Sequence, residues 1–87
     1  MKQKTKKLGG QGLNARKLRT LDLFEAIYPE ALTPAAYARQ ARFQPVRAAY
    51  SYLKRLESFG LLVKMLCPLR YKITAKGKAR LAWLRLA

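Results

Sequence analysis

The chain has 87 residues, about half of them apolar, with 19 Lys and Arg against four acids and a formal net charge of +15. That length gives one small domain with a core, and an excess of positive charge of this size answers to a polyanion. The absence of His removes the usual general base near neutral pH, and a single cysteine excludes an intramolecular disulfide or a thiolate metal site. No apolar run approaches the roughly 18–20 residues of a membrane span, and no apolar segment follows the basic N-terminus as a leader peptide requires.

Residues 1–12 hold Lys2, Lys4, Lys6 and Lys7, then Gly9, Gly10 and Gly12. Like charges repel and glycine is costly to order, so this stretch is expected to be a flexible basic arm ahead of a domain at 13–87. Asn14 suits a helix cap. Leu18, Leu21, Phe24 and Ile27 follow at helical spacing as a buried face, and Pro29 ends the helix near Tyr28. Arg16 and Lys17 in its first turn oppose the helix dipole, which suggests that they answer to a partner. Asp22 and Glu25 share a face at i, i+3, a surface pair with no third metal ligand in view.

Thr33-Pro34 predicts a second, short helix running to about Ala41, with Thr33 as cap and proline at the first position. Its core residues are expected to be Tyr37, Ala38 and Ala41. Gln44-Pro45 opens a third helix whose buried stripe is Val46, Ala49, Leu53 and Leu56. The opposite face centres on Arg47, Ser51 and Lys54, with Arg55 at its margin. Gly60 suits the left-handed residue of a Schellman stop.

From Leu61 the period becomes two. Leu61, Val63 and Met65 alternate with Lys64; Leu69, Tyr71 and Ile73 alternate with Arg70 and Lys72. A hairpin turning at Cys67-Pro68 follows, with Lys64, Arg70 and Lys72 on its outer face. Thr74 caps a last helix over 75–86, whose first turn Gly77 weakens. Its apolar face is read as Ala79, Ala82, Trp83 and Leu86.

Three helices, a hairpin and a helix make a mostly helical α+β order. Leu32-Thr33-Pro34, Leu53-Lys54-Arg55-Leu56-Glu57 with Phe59-Gly60-Leu61-Leu62, and Ile73-Thr74-Ala75-Lys76-Gly77 resemble the winged helix-turn-helix of prokaryotic regulators of the multiple-antibiotic-resistance-repressor type. The similarity covers about residues 18–82. It implies that the third helix lies in the DNA major groove, with Gln44, Arg47, Ser51, Lys54 and Arg55 as its contacts, and that Arg70 and Lys72 are wing contacts. The expected function is sequence-specific duplex-DNA binding and transcriptional regulation, non-enzymatic and without a cofactor, at a cytoplasmic, nucleoid-associated location. Lys2, Lys4, Lys6 and Lys7 would add phosphate contacts.

Two alternatives stay open. Charge does not distinguish polyanions, so an RNA-binding or ribosome-associated winged helix fits as well. The apolar tip Leu66-Cys67-Pro68-Leu69 and the Trp83 face fit a protein-interaction winged helix in an assembly or replication complex. A homodimer through Trp83 and Leu86, or through the Leu66–Leu69 tip, is a further expectation. Tyr37, Tyr50, Tyr52 and Tyr71 are offered either to the core or to stacking on unpaired bases, and their spacing favours the core.

Overall fold

Local capping chemistry starts and stops most of the elements. A computed structural model describes the backbone of residues 2–86 and the side chains of residues 14–86. Among these residues the order is α1 (Lys2–Ala26), α2 (Pro34–Ala41), α3 (Val46–Ser58), β1 (Leu62–Met65), β2 (Arg70–Ile73) and α4 (Ala75–Leu86). The side chains of the expected arm, Lys2, Lys4, Lys6 and Lys7, lie outside the described residues. Asn14 is an internal position of α1 rather than a cap.

The Thr33 hydroxyl accepts from the Ala36 amide at 3.1 Å, and Pro34 takes the first position of α2. At α3, proline stands one place earlier than expected: Pro45 is the extended N-cap residue and Val46 the first helical one. Thr74 caps α4 by accepting from the Gly77 amide at 2.9 Å.

β1 and β2 pair antiparallel with Leu62 opposite Ile73, Val63 opposite Lys72, Lys64 opposite Tyr71 and Met65 opposite Arg70. The segment entering α2 joins them, since Leu32 and Tyr71 exchange amide-to-carbonyl hydrogen bonds of 2.9 and 2.8 Å. The result is a mostly helical α+β domain with a two-strand antiparallel hairpin, compatible with a winged helix.

The core gathers Leu21 and Phe24 of α1, Tyr37 and Ala38 of α2, Ala49, Leu53 and Leu56 of α3, Leu61, Leu62, Tyr71 and Ile73 around the hairpin, and Leu81 and Leu84 of α4. Each of the larger side chains contributes about 1.5–3 kcal/mol relative to exposure. An aromatic ladder runs through it: Phe24 to Tyr37 at 5.7 Å, Tyr37 to Phe43 at 6.1 Å and Phe43 to Tyr52 at 5.7 Å between centroids. Thr20 and Tyr37 share a buried hydroxyl–hydroxyl hydrogen bond of 2.8 Å that ties α1 to α2.

Further expectations from the sequence are corrected by the packing. Val46 and Ala41 are exposed, because the packed stripe of α3 begins a turn later at Ala49 and α2 buries only Tyr37 and Ala38. The strand phase of β1 is shifted by one. Leu61 is buried in the turn before the strand, Leu62 is the inward residue opposite Ile73, and Val63 faces out. Lys64 therefore shares the sheet face of Leu62, Tyr71 and Ile73, not that of Arg70 and Lys72. Finally, α4 buries Gly77, Leu81 and Leu84, leaving Trp83 55% and Leu86 87% exposed.

Gly77 explains that choice of face. A Cβ there would lie 2.2 Å from the Leu61 carbonyl oxygen and 2.7 Å from Ile73 Cγ1. Only a residue without a side chain lets α4 come this close to the turn after α3, and the face that carries Gly77 goes inward with it.

Candidate nucleic-acid interface

α3 separates its two faces sharply. Ala49, Leu53 and Leu56 are buried, and Arg47, Ser51, Lys54 and Arg55 are exposed on the far side. At 100° per residue these four lie within roughly a quarter to a third of a turn. No acid interrupts the stripe; Glu57 sits at its edge and is half-buried. The Lys54 ammonium lies 5.3 Å from the Tyr50 ring centroid, a contact that holds the lysine against the helix flank. Gln44 is exposed in the turn ahead of the stripe. The structure thus places Arg47, Ser51, Lys54 and Arg55 on one exposed face of α3, with Gln44 in the segment before it.

The hairpin residues stand apart from that stripe. Arg70 and Lys72 occupy the outer sheet face, opposite Met65 and Val63. The Arg70 Nε–H donates to the Pro68 carbonyl at 3.2 Å, bracing the hairpin turn. The Lys72 ammonium is 5.8 Å from the Tyr28 ring centroid, and that of Lys78 is 3.2 Å from it. At the tip Leu66 is 65% exposed, while Leu69 is half-buried and packs against the core. The expected apolar tip is therefore Leu66 with Cys67 and Pro68.

Two basic depressions were not anticipated as units. An open groove of about 650 Å³ runs between α1 and the end of α2, with Arg16, Arg19, Arg42, Phe43 and Gln44 in its wall. The Arg16 guanidinium carbon lies over the Phe43 ring, 4.5 Å from its centroid, with that of Tyr52 at 5.8 Å. A second cleft of about 490 Å³ brings Lys17, Lys76 and Arg80 around Phe59 at the end of α3. Arg16 and Lys17, expected in a first helical turn against the dipole, are internal positions of α1, and the walls of both depressions come from elements far apart in the chain.

Two of the four acids join α1 to α4. The Arg85 guanidinium donates to the carboxylate of Asp22 and, at 3.3 Å, to that of Glu25, clamping α4 to α1. Among the described residues no group of three or more His, Cys, Asp and Glu gathers as a metal site. No helix there is long and apolar enough to cross a membrane. Burial raises the phenols of Tyr37, Tyr52 and Tyr71, that of Tyr52 to about 12. Tyr37 and Tyr71 are fully buried, so they serve the core rather than offering a stacking surface.

Compared with known proteins, the chain matches no protein-family model, no curated protein and no solved structure.

Proposed function

We propose that the chain is a winged helix that binds duplex DNA in a sequence-dependent manner and acts as a transcriptional regulator at the nucleoid, without catalysis or a cofactor. α3 enters the major groove. Arg47 reads a guanine edge through a bidentate pair, Ser51 reaches a base or phosphate, and Lys54 and Arg55 hold phosphates. Arg70, Lys72 and the arm lysines Lys2, Lys4, Lys6 and Lys7 add backbone contacts.

The observation that carries this reading is the acid-free exposed stripe of α3, set opposite a fully buried one. A merely solvated face of a helix in a stable domain tends to mix both signs of charge. This one carries positive charge alone.

The test is competition between a duplex DNA and a structured RNA of equal length at equal salt, with Lys54→Ala/Arg55→Ala in parallel. Tighter DNA binding, and a log K against log salt slope shallower by about 2 in the double variant, is expected. Preference for the RNA would move the function to an RNA-binding or ribosome-associated role on the same fold. The exposure of Leu66 and Trp83 favours an added protein contact, through the tip or through a second copy at Trp83 and Leu86.

A further inference from the structure

α2 ends in an unusual way. The Phe43 amide donates to the Ala38 carbonyl at 2.9 Å and the Arg42 amide to that of Arg39 at 3.4 Å, a Schellman stop. The residue in the left-handed position is Arg42, with φ 55° and ψ 43°. An L-residue pays there for the closeness of its Cβ to the backbone, and glycine does not. The other Schellman stop, after α3, uses Gly60 at φ 80°.

Arg42 is exposed and lines the groove between α1 and α2, where Arg16 and Arg19 come from the other wall. Arg16 is held over the Phe43 ring by a cation–π contact. Three arginines thus line one open depression with, among the described residues, a single carboxylate, Asp22, whose Oδ1 is paired with Arg85. Gathering like charges costs energy in the free protein, and backbone strain concentrates where a ligand makes use of it. Both costs fall at the same place, and Gln44 joins the groove to the foot of α3.

We infer that this groove binds a backbone phosphate of the nucleic acid, with Arg42 and Arg19 as its principal contacts and Arg16 as a stacked, pre-oriented third. Guanidinium forks suit a phosphate's oxygens in a way that a single ammonium does not. The identity of the polyanion rests on the DNA-binding reading; the groove itself does not depend on α3.

A salt series on duplex-DNA binding tests it, using the wild type, Arg42→Gly, Arg19→Gln/Arg42→Gly and Lys54→Ala, each also melted by heat. Arg42→Gly is expected to melt at the same temperature or higher. It should bind roughly eightfold more weakly at about 0.1 M salt and flatten the salt slope by about 1, the counterion release of one phosphate. The double variant should flatten it by about 2. Unchanged slopes in both overturn the inference. A lower melting temperature for Arg42→Gly also overturns it, because folding alone would then require the arginine.

Lys54→Ala separates the two surfaces. A flatter slope in the groove variants with none in Lys54→Ala keeps the groove and removes the α3 reading. The reverse removes the groove alone. No binding of duplex DNA by the wild type removes both.

Discussion

The stops of α2 and α3 solve one problem in two settings. Each bends the chain through a left-handed residue and returns two amides to the last helical turn: Arg42 and Phe43 after α2, Gly60 and Leu61 after α3. The α3 stop is closed. The Thr74 hydroxyl donates to the Gly60 carbonyl at 2.7 Å, with that of Leu61 at 3.1 Å, and Gly77 lets α4 rest on Leu61. The α2 stop is open, with its left-handed residue in the wall of the groove that Arg16 and Arg19 also line. The first serves packing and takes glycine. The second carries an arginine where packing alone would favour glycine, and that departure directs attention to the groove.

The contrast can be broken at its closed end. Gly77→Ala pushes a methyl group into the Leu61 carbonyl and Ile73, and should destabilise the fold by about 3 kcal/mol, read by urea denaturation. A loss below about 1 kcal/mol would mean that α4 is not seated by that contact. Gly60→Ala places the α3 stop in the backbone situation of Arg42. With Lys76 Cδ 3.3 Å away and able to move, the cost should be the left-handed penalty alone, about 1 kcal/mol. Arg42→Gly is the mirror experiment. It should be neutral or stabilising by up to about 0.5 kcal/mol, because relief of the strain is offset by the freer unfolded chain.

pH gives a smaller effect from beneath the open stop, where Tyr52 packs on Phe43. Burial lifts its phenol from 10.0 to about 12. The folded state therefore keeps a proton that the unfolded chain releases, so this contribution is fully present below pH 10 and lost as pH rises to about 12. Thermal melts across that window should show the decline, and Tyr52→Phe should reduce it.

Much of the fold was legible because it is written in local chemistry. Thr33-Pro34, Gly60 and Thr74 each mark an end by satisfying backbone groups within a few residues. The apolar stripe of α3 from Ala49 onward is also legible, and with it the exposed Arg47, Ser51, Lys54 and Arg55. Where two apolar sets compete, the sequence is ambiguous. Leu61 and Leu62 are adjacent, and only pairing with β2 decides which one faces inward. In α4, Leu81 and Leu84 compete with Trp83 and Leu86, and the close approach at Gly77, a tertiary fact, decides between them. The groove was not legible because its guanidinium groups come from α1 and the end of α2, and no residue type announces a left-handed arginine.

The central claim is that the exposed stripe of α3 reads DNA sequence. Selection of bound sites from a random duplex library at about physiological salt, where nonspecific charge binding is weakened, tests it most directly when the wild type is run beside Arg47→Ala/Ser51→Ala. The account predicts an enriched motif for the wild type, with preference at one or two positions lost in the variant, each worth about 1–3 kcal/mol. No motif from the wild type, or the same motif from the variant, would contradict it.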